Sequence, residues 1–353
     1  MNSNKDIQNE SVILKKKRST GFKIFKYFSI VTSTFILILI ILSIWIYVSL
    51  FSGPGIMEMS DFHPFKSEEA KSRYLAFEDN MKKKWTVISE EKIVETSFGK
   101  TFMRISGPAD APPLVLLPGG GCNSLIWNAN IKALSEEYRT YALDNIYDFG
   151  RSVYTRKIEN GNDFSEWLNE LFDTLRLGNE IRIIGYSYGG WVTSQYALYH
   201  PERLTRVVLI APAFTVLDIS NEFIWNMIGT LLPVRYFKQK VMYSVWKDLL
   251  NMGEYGKEIV EERINYIEIA YSSFKFKSPP NPTVLTDFEL KNIQVPLLFL
   301  VGENETVYNA DSAINRLNKL APGIETELIS GTGHDLMFTH TDLVNGKILK
   351  FLK

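Results

Sequence analysis

Three side-chain types in this chain could act together as an acyl-transfer apparatus: a serine on a glycine-rich turn, a carboxylate and a histidine. The serine lies in Arg182-Ile183-Ile184-Gly185-Tyr186-Ser187-Tyr188-Gly189-Gly190-Trp191. An apolar, β-branched run ends in Gly185, and a helical pattern begins at once with Val192, Tyr196 and Ala197. Strand, serine turn and helix in that order make a nucleophile elbow. So sharp a turn brings the residues two before and two after the serine together, where a Cβ would clash, and glycine tolerates the backbone angles required. The helix N-terminus behind the serine favours developing negative charge. The competing reading is a glycine-rich turn whose serine merely caps the helix.

The rest of the chain discriminates between the two. In an open parallel sheet, ligands bind beyond the carboxyl ends of the strands. The run Leu114–Leu117 is followed by Pro118-Gly119-Gly120-Gly121-Cys122-Asn123, a loop able to offer backbone N–H groups to an oxyanion. Val295–Val301 is followed by Gly302-Glu303-Asn304-Glu305, and Glu325–Ile329 by Gly331-Thr332-Gly333-His334. Oxyanion loop, serine, acid and histidine therefore succeed one another, each at a strand end, which capping alone does not explain.

The elements that must position these groups follow from periodicity. Trp85–Glu95 and Thr101–Ile105 read as an antiparallel hairpin. From Pro113 onward, short apolar runs alternate with helical segments, the pattern of a parallel sheet covered on both faces. The alternation pauses between Pro212 and Asn292, where three helical stretches rich in Trp, Tyr, Phe and Met read as a cap. Phe214, Phe223, Trp225, Met227, Tyr236, Phe237, Met242, Tyr243 and Trp246 serve there to pack the cap on the sheet. The sharper alternative for them is an apolar substrate pocket or a face against a bilayer.

At this point the chain resembles the α/β-hydrolase fold family, in particular its small bacterial carboxylesterase-like members. The resemblance runs from about Lys84 to the C-terminus. It rests on Gly185-Tyr186-Ser187-Tyr188-Gly189-Gly190, Val295 through Glu305, Gly331-Thr332-Gly333-His334 and the Gly150-Arg151-Ser152 turn after Leu143-Asp144. It implies a mostly parallel eight-stranded sheet with helices on both faces and a helical cap inserted before the strand that carries the acid. It also implies Ser187 as nucleophile, His334 as general base and then acid, and Glu305 in the acid position, one methylene longer than the common aspartate. The oxyanion donors would be the N–H groups of Tyr188 and Gly120. Pro118 stands where many members have histidine, which leaves Gly121 open as the second donor. Asp144 and Asp148 are read as holding the Gly150-Arg151-Ser152 turn, Asp311 as a helix N-terminal charge, and Asp335 as unable to orient the adjacent His334. His63 is placed near the membrane segment, His200 at a helix end and His340 at the surface. No metal or cofactor is expected.

Residues 1–26 hold a basic cluster of Lys15, Lys16, Lys17, Arg18, Lys23 and Lys26, whereas Tyr27 to Phe51 contains no charged residue. At ~1.5 Å per residue that run spans a ~30 Å hydrocarbon core, and no small-residue cleavage site follows it. The expected order is a cytoplasmic basic tail (1–26), a transmembrane helix (27–51), a linker with a short helix (52–84) and the α/β-hydrolase domain (85–353, cap about 213–292). The positive-inside rule places the catalytic domain outside the cell membrane, single-pass, with the N-terminus cytoplasmic. A formal net charge of −1 over 353 residues gives no reason to expect nucleic acid. The single cysteine, Cys122, excludes an intramolecular disulfide. The expected partner is a small-molecule ester, and a lipophilic one suits a membrane-tethered enzyme. The other readings are an amidase, peptidase or acyltransferase on the same triad, and a non-catalytic membrane receptor that kept the fold.

Overall fold

The apolar runs that punctuate the chain after Glu90 become the strands of one sheet. The computed structural model describes residues 27–28, 30–38, 41–42, 60–230, 234–275, 277, 280 and 282–353. The chain divides into two units, Met1–Met57 with Phe276–Ser278, and Glu58–Lys275 with Pro279–Lys353. In the first, residues 27–28, 30–38 and 41–42 are helical and exposed. Among the described residues no helix is long and apolar enough to cross a membrane. Residues 29, 39–40 and 43–51 of the expected span lie outside the described residues.

The second unit carries the sheet. A hairpin of β1 (Glu90–Thr96) and β2 (Gly99–Ser106) leads into β3 (Pro113–Leu117), β4 (Arg139–Leu143), β5 (Val153–Tyr154), β6 (Ile181–Tyr186), β7 (Leu204–Ile210), β8 (Leu297–Gly302) and β9 (Glu325–Ile329). The order across the sheet is β1-β2-β4-β3-β6-β7-β8-β9, with the two-residue β5 pairing beside β2. The pairs β1/β2, β2/β4 and β2/β5 are antiparallel and all others parallel. The expected eight strands are therefore present, and the added β5 is too short for any period to reveal. The central strands β3, β6, β7 and β8 bury almost every residue, as strands covered on both faces must.

Helices α1 (Glu68–Lys82), α2 (Ile131–Glu137), α3 (Gly161–Leu175) and α4 (Tyr188–Tyr199) precede the cap. The cap comprises α5 (Asn221–Thr230), α6 (Arg235–Val245), α7 (Lys247–Leu250) and α8 (Glu254–Ser273), with α9 (Asp287–Lys291) leading back to β8. Helices α10 (Ala310–Leu320), α11 (Leu336–Thr339) and α12 (Thr341–Leu352) complete the chain. The cap aromatics divide: Trp246 is buried, Phe223 and Met242 pack half-buried on the core, and Trp225, Tyr236 and Tyr243 are exposed.

Helix α1 does more than bridge the segment before the sheet. Tyr74 is fully buried with its hydroxyl 3.0 Å from that of Tyr266 on α8, and the Phe65 and Phe274 rings lie 4.3 Å apart. Glu78 is fully buried too, accepting from Arg104 Nη2 at 2.7 Å and Arg151 Nε at 3.0 Å. Burial pushes its carboxyl up to about 7, with the nearby Asp144 charge adding to the effect and Arg151 and Arg104 opposing it. The stretch 52–84 thus contributes a helix that clamps the cap onto the sheet, which its charge-rich sequence does not announce.

Candidate active site

Strand β6 delivers Ser187 at a backbone geometry of φ 52° and ψ −117°. Such a conformation in a non-glycine residue costs ~1–3 kcal/mol and persists only where its surroundings enforce it. Here the Ser187 N–H donates to the Ile210 carbonyl at 2.9 Å, while its carbonyl accepts from Gly190 at 2.9 Å and Ala213 at 3.2 Å. A Cβ on Gly185 would stand 2.3 Å from the Gly189 carbonyl oxygen, and one on Gly189 2.4 Å from that of Pro118. Both glycines are therefore obligatory, for the steric reason expected from the sequence.

His334 follows β9 and meets both partners. Its Nε2 is 2.9 Å from Ser187 Oγ and its Nδ1 2.8 Å from Glu305 Oε2. A carboxylate accepts only, so Nδ1 carries the proton and Nε2 is left to accept from the serine hydroxyl. The Glu305 side chain is fully buried, and its other oxygen accepts from the Val307 N–H at 2.9 Å. That second bond fixes the longer glutamate side chain. The His334 carbonyl accepts from the Tyr186 hydroxyl at 3.0 Å, and burial pushes that phenol well above its usual pKa. The close approach of the two loops requires glycine at 302, where a Cβ would lie 2.4 Å from the carbonyl oxygens of Thr332 and Gly333.

The loop after β3 lies against the elbow. A Cβ built on Gly119 comes within 3.2 Å of the Ser187 Cβ, and one on Gly120 within 3.4 Å of the Tyr188 Cβ. Gly120 and Tyr188 are thus neighbours beside the serine. Tyr188 opens α4, so its N–H has no intrahelical acceptor. The N–H of Gly121, at φ 67°, donates instead to Asp148 Oδ2 at 2.8 Å.

The remaining candidates fall elsewhere. Asp144 holds the Gly150-Arg151-Ser152 turn: its carboxylate accepts from Arg151 N and Ser124 N, and its carbonyl from Ser152 Oγ. The Asp148 carboxylate accepts from Gly121 N and from Phe149 N, next to that turn. Asp311 sits in the first turn of α10. Asp335 is fully buried and points away from the His334 ring, accepting the Leu249 N–H of the cap at 2.7 Å and the Thr332 hydroxyl at 3.3 Å. Burial raises its pKa. His63 is buried, its Nε2 3.0 Å from the Tyr154 carbonyl oxygen. His200 ends α4 between Glu166 and Glu202, and His340 is half-buried ahead of α12. Asp335 and Asp148 escaped the sequence reading as site-supporting residues. Asp335 directly follows Gly331-Thr332-Gly333-His334 and Asp148 lies between Asp144 and the Gly150-Arg151-Ser152 turn, but each also has a partner in another segment, Leu249 and Gly121.

The cap docks on the acid and histidine loops. The Ser220 N–H donates to the Val307 carbonyl at 2.7 Å, Thr306 Oγ1 to the Ser244 carbonyl at 3.3 Å, and Asn304 Nδ2 to the Asp248 carboxylate at 3.2 Å. Among the described residues, no cluster of His, Cys, Asp and Glu has the arrangement of a metal site.

Comparison with known proteins agrees with this architecture. Residues 112–234 match the model of the alpha/beta hydrolase fold family. Carboxylesterase YbfK of Bacillus subtilis (strain 168) is 34% identical over 298 residues, covering 83% of this chain and 98% of that protein. The uncharacterized carboxylesterase nap of the same organism is 32% identical over 279 residues, covering 76% and 88%. The crystal structure of naproxen esterase (carboxylesterase NP) from Bacillus subtilis superimposes with a TM-score of 0.74 at 31% identity, covering 84% of this chain and all of that one. With its sheet order and with relatives matched over nearly their full length, the chain belongs to the alpha/beta hydrolase fold family and is a carboxylesterase-like hydrolase.

Proposed function

We propose that the protein is a serine carboxylesterase that works through an acyl-enzyme, with Ser187, His334 and Glu305 as its triad. The observation that carries this reading is the continuous hydrogen-bonded line from Ser187 Oγ through the His334 ring to Glu305 Oε2. Ser187 Oγ attacks the ester carbonyl while its proton passes to His334 Nε2. Glu305 keeps the ring in the required tautomer and stabilises the imidazolium that forms. The N–H groups of Gly120 and Tyr188 receive the oxyanion, and His334 returns the proton to the leaving alkoxide. Water activated by the same histidine then releases the acid. A strained serine held by backbone hydrogen bonds to Ile210, Gly190, Trp191 and Ala213 keeps the nucleophile in place without reorganisation.

The domain is tethered to the outer face of a membrane by residues 27–51. Support comes from the charge-free apolar run, the basic cluster before it, and the apolar side chains exposed along the described part of the helix.

Ser187→Ala tests the chemistry. Turnover of p-nitrophenyl esters should fall at least ~10³-fold, and a fluorophosphonate should label Ser187 in the wild type. Label on another residue, or surviving turnover, sinks the reading. Protease added to intact cells tests the topology: degradation of the hydrolase domain is expected, and complete protection would reverse the orientation.

A further inference from the structure

Arg263 on α8 is 5% exposed and donates one hydrogen bond, from Nη2 to the Cys122 Sγ at 2.7 Å. Its Nε and Nη1 are buried with no acceptor. No carboxylate of the described residues pairs with it, unlike Arg104 and Arg151, which share Glu78. A guanidinium carries five donors and stays charged. A buried cation that lacks an anion is costly, and the protein partner at hand is a poor one, since burial pushes the Cys122 thiol up. The Trp246 and Tyr266 rings lie 5.6 and 4.8 Å from its central carbon and stabilise the charge without satisfying its N–H groups.

The position of this cation is informative. Cys122 belongs to the loop after β3, two residues beyond Gly120, and its N–H donates to the Gly119 carbonyl. The Trp246 ring lies 4.9 Å from that of Phe338, tilted by 41° and four residues beyond His334, and the adjoining α7 is tied to Asp335. The guanidinium therefore sits where the cap closes on both the oxyanion loop and the histidine loop.

We propose that Arg263 is a carboxylate-binding residue of the substrate site, so that the enzyme acts on esters bearing a second, anionic carboxylate. A carboxylate matches the planar fork bidentately and supplies the charge that the protein withholds. This rests on the esterase reading above and names its substrate class.

Two measurements test it on the full-length chain. First, hexanoate and phenylacetate should raise the Tm of the wild type and of Ser187→Ala, while hexanamide and phenylacetamide should not. This needs no turnover, so it stands or falls apart from the triad. Equal effects of acids and amides, or none from either, overturn the proposal. Second, kcat/KM is measured for monomethyl adipate and dimethyl adipate. The anionic-to-neutral ratio should fall at least tenfold in Arg263→Gln, with Arg263→Lys in between. An unchanged ratio overturns the proposal. That holds even where free acids stabilise the protein, because the site then takes the product acid rather than an anionic substrate.

Discussion

Asp148 accepts the N–H of Gly121 at 2.8 Å, across the loop that follows β3. That bond engages one of the two backbone donors left open by the glycine run and leaves Gly120, packed against Tyr188, as the proposed oxyanion donor. A carboxylate beyond the next strand, β4, thereby sets the register of the loop.

Removing this anchor should loosen the loop without unfolding the domain. Asp148→Ala is expected to lower kcat for a p-nitrophenyl ester by roughly 10–100-fold with little change in KM, since an oxyanion donor acts in the transition state. Steady-state kinetics check this, and a change confined to KM would contradict the assignment.

Glu305 and Asp311 separate the proposed orienting acid from a helix-terminal charge. Glu305→Gln should lower kcat by about 10³-fold, because the amide cannot stabilise the imidazolium at His334. Asp311→Asn, in the first turn of α10, should stay within about twofold, in line with a surface helix-end charge worth ~0.3–1 kcal/mol of stability. Equal losses would refute the assignment.

Gly185→Ala tests the elbow by sterics alone. The added methyl would meet the Gly189 carbonyl oxygen at 2.3 Å and Thr193 Oγ1 at 2.4 Å. Backbone cannot yield there without moving Ser187, so a loss of at least ~4 kcal/mol is expected. Denaturant unfolding checks it, and a variant as stable as the wild type would contradict the packing.

Glu78 predicts a pH dependence. Its folded pKa, pushed up to about 7 by burial, exceeds the ordinary value of 4.5. Between those values the folded state holds the proton more tightly, so this group's contribution is complete below about pH 4.5 and declines until about pH 7. The stability difference between wild type and Glu78→Gln should therefore shrink by up to about 3 kcal/mol over that window. Urea unfolding at a series of pH values measures it; a difference that grew with pH would show that Arg104 and Arg151 outweigh desolvation.

The sequence by itself determined the architecture and singled out the residues proposed to react. Alternating apolar runs and helices specify a parallel sheet because each strand must be covered on both faces. Ser187, Glu305 and His334 are legible because each stands at a strand's end beside glycines that allow close approach. These are local signals, carried by neighbours in the chain. Tertiary structure alone decided the rest. The Gly121–Asp148 bond spans 27 residues, the Cys122–Arg263 contact 141, and the Tyr74–Tyr266 contact that binds α1 to the cap 192. No period or spacing encodes such pairs. An aspartate next to a turn reads as serving that turn, and an arginine on a charge-rich helix reads as solvated. Only packing shows that one carboxylate reaches the glycine loop after β3 and that the Arg263 guanidinium is buried with no anion among the described residues.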